Sequence, residues 1–279
     1  PMRRTVIFGE LLFDLFPDGE AIGGAPFNVA CHLQALGCEP LFLTRIGDDD
    51  RGQRALERLR REDFDLTGVQ RDPENPTGTV QVSIESGQPS FRIPPAQAYD
   101  YLSADECLKA VQGTRRPLLY CGTLALRSPA SRQSLEEVFR ATEAELLVDL
   151  NLRSPWWSGE LLRELISKSR WLKVSQEEAE VLWPAETFRI EAVREWGPRL
   201  CREARLDRLA VTFGDRGAAL AEPSGGTWGE APAVEVRDTV GAGDAFTAIF
   251  LWGILRGWTV GQVLSVALRF AADVCQIRG

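Results

Sequence analysis

Asp238-Thr239-Val240-Gly241-Ala242-Gly243-Asp244-Ala245-Phe246, followed by an apolar run to Leu255, is the stretch around which the rest of the chain is arranged. Small residues at 241–243 let the backbone turn sharply and approach a ligand, and residues 244–255 have the pattern of a helix. Free N–H groups at a helix start, together with the positive end of its dipole, favour phosphate or another anion. Asp244 then puts a carboxylate where the anion would sit. Such a carboxylate repels phosphate unless it accepts a proton from a hydroxyl that attacks phosphorus. The other role open to it is capping the helix.

Composition narrows the classes. The 279 residues are 44% hydrophobic and 26% charged, ordinary for a globular protein with ample core. A formal net charge of −8 argues against nucleic acid as the main partner, because phosphate backbones select basic surfaces. No run reaches the length of a membrane span, and Pro1-Met2-Arg3-Arg4 leads straight into a strand without a signal peptide, so a cytoplasmic protein with no membrane partner is expected. Six cysteines never fall in a C-x-x-C pair and read as reduced, mostly buried thiols. The single histidine, His32, lies on the run 27–36 and reads as structural; a histidine-rich metal site is excluded. Of 32 lysines and arginines only Lys109, Lys168 and Lys173 are lysine and none follows a glycine, so the G-x-x-x-x-G-K-[ST] phosphate loop is absent. Phosphate chemistry here needs a different cradle.

Outward from the central stretch, strand and helix patterns alternate. Residues 3–8 read as a buried strand, and Asp14 lies just past its C-terminal end, where open α/β sheets bind ligands. Gly23-Gly24-Ala25-Pro26-Phe27-Asn28 is a flexible turn opening a helix over 27–36. Asn28 can donate and accept, which suits a polyol, or it serves its own helix start. Residues 39–46 form a strand, and Gly47-Asp48-Asp49-Asp50-Arg51-Gly52 a turn that caps the helix 53–62 rather than a metal site. Residues 79–84 alternate, 86–88 turn and 90–93 return as a hairpin, which points to a small β-sheet over the ligand edge, with 14–23 a further contributor; its edge or face could also serve a homodimer.

From residue 104 the alternation resumes: helix 104–111, strand 118–121, helix 131–141, strand 145–149, helix 160–167, strand 171–174, strand 208–212, a turn at 213–217, strand 218–221, and helices 244–255 and 260–275. Arg153, after the strand ending at Asp149, can grip a phosphate or a substrate hydroxyl or be an ordinary surface arginine; Glu178 falls on the helix after 171–174. The expected fold is α/β, a doubly wound, mostly parallel sheet flanked by helices with a small β lid. Residues 1–12, 25–75 and 103–279 would form the core, and 13–24 and 76–102 the lid.

Taken together, G-E-L-L-F-D at 9–14, G-G-A-P-F-N at 23–28, G-D-D-D-R-G at 47–52, D-L-N-L-R at 149–153, K-V-S-Q-E-E at 173–178, V-T-F-G-D-R-G at 211–217 and D-T-V-G-A-G-D at 238–244 resemble the ribokinase-like sugar kinases, the PfkB family, and its fructokinase-like branch. Each motif is weak alone; seven in order are strong. The resemblance implies ATP-dependent phosphorylation of a sugar hydroxymethyl group. Asp244 would be the base and Gly241, Ala242 and Gly243 an anion hole. Asp14, Gly23, Gly24 and Asn28 would hold the sugar, with Arg153 at the reacting end. Ser175, Thr212, Gly214 and Gly217 would line the nucleotide. Glu178 would organise Mg2+ through water, and Asp238 with Thr239 belongs to a loop that in many members binds a monovalent cation, here K+.

Three positions depart from the family pattern: Ser175 replaces asparagine in N-x-x-E, Ile249 stands where a small residue is usual, and the chain ends at Ile277-Arg278-Gly279 where many members continue. The same motifs serve 2-keto-3-deoxygluconate kinases, whose acidic substrate Arg92 and Arg153 would suit, and nucleoside kinases, with Phe13, Phe91 and Tyr99 as stacking partners. A catalytically silent sugar-binding regulator is the alternative from another class, although Gly241, Gly243 and Asp244 are intact.

Overall fold

Thr-Val-Ile-Phe at 5–8 is a β-branched and aromatic run with both faces covered, and it forms strand β1 (Thr5–Phe8), fully buried. The computed structural model describes residues 3–85 and 88–277. The described residues divide into two compact units, one of residues 4–85, 88–117 and 124–144 and the other of residues 3, 118–123 and 145–277.

In the first unit β1 pairs in parallel with β4 (Leu41–Gly47), which pairs in parallel with β5 (Val69–Asp72). A separate four-stranded sheet has the order β3 (Gly19–Gly23), β2 (Leu12–Phe16), β6 (Gly78–Glu85), β7 (Gln88–Arg92). The expected strand pair is there, but residues 86 and 87 of its predicted turn lie outside the described residues. Asp14 sits inside β2, opposite Ala21 and Val80, rather than beyond the end of β1, because residues 12–16 are taken up by the small sheet. Helix α1 (Ala25–Ala35) begins two residues before the expected start, as Pro26 is tolerated in a first turn. Helix α2 (Asp50–Arg61) is capped by Asp49, which accepts the Gly52 N–H at 2.7 Å, and α3 (Ala104–Ala110) and α4 (Pro129–Thr142) complete the unit.

In the second unit the strand order is β13 (Gly225–Gly229), β12 (Ala218–Glu222), β11 (Arg208–Thr212), β10 (Ser169–Ser175), β9 (Glu145–Asp149), β8 (Leu118–Cys121). Strands β8 to β11 are parallel, and β12 and β13 are added antiparallel. Helices α5 (Gly159–Lys168), α6 (Gln176–Leu182), α7 (Val193–Glu203), α8 (Ala242–Arg256) and α9 (Val260–Val274) accompany this sheet. Gly197 explains how α7 lies so near β12, since a Cβ there would fall 2.5 Å from Ala221 Cβ. Residues 245–251 of α8 are buried without a break, and Ile249 is absorbed into that core. The class is the one expected: α/β, with a mostly parallel sheet flanked by helices and a small separate sheet. None of the described helices is long and apolar enough to cross a membrane. None of the six cysteines forms a disulfide; burial pushes the Cys107 thiol up to about 12 and lowers the pKa of His32.

Candidate active site

Gly241 enters α8 with φ +81°, a left-handed conformation that an L side chain adopts only at a cost, and it is the residue before the first helical turn. The Ala245 N–H donates to its carbonyl at 2.8 Å, so the helix is hydrogen-bonded from this glycine onward. Asp244 is thus the third residue of the helix and not its cap, half-buried among first-turn N–H groups that have no partner four residues back.

Beneath this turn lies a buried ionic cluster. Asp149, at the C-terminal end of β9, is 1% exposed; Lys173, its register partner on β10, is 7% exposed. Lys173 Nζ donates to Asp149 Oδ1 at 3.1 Å, and Thr247 Oγ1, one turn beyond Gly243, donates to Asp149 Oδ2 at 2.7 Å. A Cβ on Gly243 would lie 3.4 Å from Lys173 Nζ, so the ammonium faces the glycine turn. Burial works against the charge on Lys173, but the carboxylates of Asp149, Glu178 and Asp244 outweigh it and hold the pKa above the usual lysine value.

Ser175 and Glu178 form a capping box at the start of α6, with the Glu178 N–H donating to Ser175 Oγ at 3.2 Å. Glu178 Oε2 accepts the Ser175 N–H at 2.8 Å and Oε1 the Leu152 N–H at 2.7 Å, which ties the segment after β9 to the segment after β10. Burial pushes the Glu178 carboxyl above its ordinary value, opposed by Lys173 and these two N–H groups. Thr212 is the register partner of Ser175 at the end of β11. The following turn needs its glycines: Gly214 has φ +61°, and Gly217, at φ +112°, has the Gly229 carbonyl 2.0 Å from where a Cβ would be.

The other expected site residues of this unit, Arg153, Asp238 and Thr239, lie on the loops before α5 and α8. Arg153 is exposed, its carbonyl accepting the Trp156 N–H at 2.7 Å. Asp238 Oδ1 accepts the Val240 N–H at 2.9 Å, and the Thr239 carbonyl accepts the Ala242 N–H at 3.3 Å. An open cavity of about 460 Å³ lined by Trp171, Asp207, Arg208 and Glu222 lies by the starts of β10 and β11, at the opposite strand ends from Asp149 and Ser175, and includes none of the expected site residues.

In the first unit Asp14 and Gly23 are adjacent, a Cβ at 23 falling 2.9 Å from Asp14 Oδ2. Gly24, at φ +106°, presses on Glu10, whose carbonyl would be 2.8 Å from a Cβ. The Asn28 N–H donates to the Gly24 carbonyl at 2.9 Å. The fold thus brings Asp14, Gly23, Gly24 and Asn28 to one corner of this unit, as it brings Gly243, Asp244, Glu178 and Ser175 together in the other.

Two residues of the cluster were not singled out from sequence, Lys173 and Thr247. The signal for Lys173 was a lysine in the otherwise apolar strand Trp171-Leu172-Lys173-Val174; a buried ammonium demands a carboxylate partner, and Asp149 ends a neighbouring strand.

Known proteins resemble this chain along most of its length. The chain is 30% identical over 263 residues to the fructokinase of Klebsiella pneumoniae, covering 89% of this chain and 83% of that one. A sugar kinase of Pyrococcus horikoshii solved in complex with ATP superposes with a TM-score of 0.82 at 26% identity, covering 99% of this chain and 93% of the other. The Vibrio cholerae O395 fructokinase, solved with fructose, ADP and calcium ion bound, gives a TM-score of 0.82 at 25% identity, covering 100% and 94%. The family described as pfkB family carbohydrate kinase matches residues 17–279. The chain therefore belongs to the pfkB family of carbohydrate kinases and is a phosphotransferase acting on sugars.

Proposed function

We propose that the chain transfers the γ-phosphoryl group of ATP to a sugar hydroxymethyl group, with fructose the preferred acceptor, and that Asp244 is the base. The observation carrying this is the placement of Asp244 as the third residue of α8, after a left-handed glycine and beside a buried ammonium. The sugar hydroxyl gives its proton to the Asp244 carboxylate as its oxygen bonds to the γ-phosphorus, and the bond to the β–γ bridging oxygen breaks to release ADP. The N–H groups of Gly241, Ala242 and Gly243, that of Ala242 giving up its 3.3 Å bond to the Thr239 carbonyl, and the helix dipole stabilise charge on the phosphoryl in flight. Ser175, Thr212, Gly214 and Gly217 line the nucleotide; Asp14, Gly23, Gly24 and Asn28 hold the sugar, with Arg153 at its reacting end. The small sheet serves as the lid.

The donor set suits a hydrated magnesium ion. Both Glu178 oxygens accept backbone N–H groups, and among the described residues no group of three His, Cys, Asp or Glu side chains could hold a metal. Mg2+ keeps several waters and binds through few carboxylates, so Glu178 would meet it through water. When bound, the ion neutralises charge on the transferring phosphates. The oxygens of the turn at Asp238 and Thr239 are of the kind K+ accepts.

An exposed Arg92 on β7 favours an acidic sugar as the second reading, 2-keto-3-deoxygluconate. Phe16 and Phe91, 42% and 56% exposed on the small sheet, favour a homodimer formed through it. The deciding experiment is ADP release from magnesium-ATP over fructose, ribose, 2-keto-3-deoxygluconate, glucose and adenosine, with and without potassium. Fructose giving the highest kcat/KM supports the preferred acceptor. The keto acid giving it selects the second reading, and a folded, ATP-binding protein silent on every sugar contradicts both.

A further inference from the structure

Lys173 has no part in the chemistry assigned so far, yet the fold places it at the centre of the charged groups around α8. Its ammonium is buried on β10, 3.1 Å from Asp149 Oδ1, and the other oxygen of that carboxylate is tied to α8 by the Thr247 hydroxyl at 2.7 Å. Thr247 is wholly buried and one turn along from Gly243. The chain Lys173, Asp149, Thr247 therefore fastens α8 to two strands of the sheet just beyond its first turn, and the Thr247 hydroxyl also lies 3.0 Å from the Gly243 carbonyl of that turn. The ammonium also looks onto that turn, because the place of a Gly243 Cβ is only 3.4 Å from Nζ. Three carboxylates, Asp149, Glu178 and Asp244, act on this one ammonium.

We propose that Lys173 is the positioning residue of the transfer, holding the first turn of α8, and with it Asp244, in place through its ion pair with Asp149 and the Thr247 hydrogen bond to the same carboxylate. The inference rests on the assignment of Asp244 as base. A lysine that only stabilised the fold would slow every variant alike, whereas one acting through Asp244 loses its effect when the base is already gone.

The test is a double-mutant cycle of Lys173→Met and Asp244→Asn, measured as kcat with the best acceptor of the sugar panel, alongside calorimetric affinities for ATP and sugar. Lys173→Met is expected to lower kcat by about 10- to 100-fold and to change either Kd by less than about threefold. In the Asp244→Asn background the same substitution should cost less than about threefold. Lys173→Arg should recover most of the lost turnover, since it keeps the charge. Equal fold-losses in both backgrounds, an unchanged kcat, or a loss confined to ATP affinity overturns the proposal. If Lys173→Met gives no cooperative thermal transition, Thr247→Val carries the same cycle, with an expected loss of about 3- to 10-fold in kcat that vanishes without the base; no loss, or a loss in both backgrounds, overturns it. Wild-type turnover in Asp244→Asn alone would defeat the base assignment, and a slow Asp244→Asn beside a normal Lys173→Met would defeat only the role of Lys173.

Discussion

The segment around α8 and the small sheet are built on opposite plans. Near the start of α8, Asp149 and Thr247 are buried and each is satisfied by named partners, and Glu178 uses both oxygens on backbone N–H groups. On the small sheet Asp14 is half-buried, while Phe91 and Arg92 stand exposed on β7. A geometry over-determined by buried polar bonds suits a step that every member of a kinase family shares, the passage of a phosphoryl group. A sheet with exposed aromatic and basic side chains suits the part that differs, the choice of acceptor.

The contrast can be broken most directly at Asp244, the proposed base. Asp244→Asn is expected to lower kcat by about 10²- to 10⁴-fold, with sugar affinity by calorimetry close to wild type; equal turnover would remove Asp244 from the chemistry. On the acceptor side, Asp14→Asn should raise the sugar KM by about 10- to 100-fold, the worth of hydrogen bonds to a charged group, and leave the ATP KM unchanged. A matching rise in the ATP KM would mean that the small sheet does not act on the acceptor alone.

Gly241→Ala sharpens the claim that backbone shape, not space, fixes this position, since nothing lies within 4 Å of its Cβ position while φ is +81°. The left-handed conformation should cost about 1–2 kcal/mol, read as a melting temperature lower by several degrees, with turnover down by about tenfold. A variant with wild-type melting and turnover would show that the turn relaxes freely. The smallest effect belongs to Asp49. Burial would raise its pKa, but the Thr77 hydroxyl and N–H and the Gly52 N–H outweigh it and hold the carboxyl below its ordinary range. A lowered folded pKa gives stability that is present above the unfolded value of about 3.9 and fades as pH falls through the folded value. Asp49→Asn should therefore melt below wild type at pH 7, with the gap closing below about pH 4; a gap constant from pH 3 to 7 would contradict this.

Much of this architecture was legible in the residues. The strands at Leu118–Cys121, Glu145–Asp149 and Arg208–Thr212 end where the apolar runs end, and the glycine turn into α8 announces itself by composition. What escaped was decided by tertiary partners. Strand β5 reads Val-Gln-Arg-Asp and looks like a loop, but Gln70 is satisfied by Ser103 and Asp72 by the N–H groups of Glu74 and Asn75. Strand β13 is glycine-rich and persists by pairing with β12. Helix α7 carries Gly197 and Pro198, which mask its period, and the glycine is required by the approach to Ala221. In the candidate site, Asp244 was visible through its motif, whereas the pairing of Lys173 with Asp149 emerges only once β9 and β10 are in register.

The most direct test of the whole account is the identity of the product. After incubation of the wild-type protein with magnesium-ATP and its best sugar, the phosphorus resonance of the product should couple to the two protons of a hydroxymethyl carbon, and the same signal should be absent from Asp244→Asn over the same period. Inorganic phosphate alone, a phosphate ester on a ring hydroxyl, or an unchanged yield from Asp244→Asn would contradict the transfer and the base proposed for it.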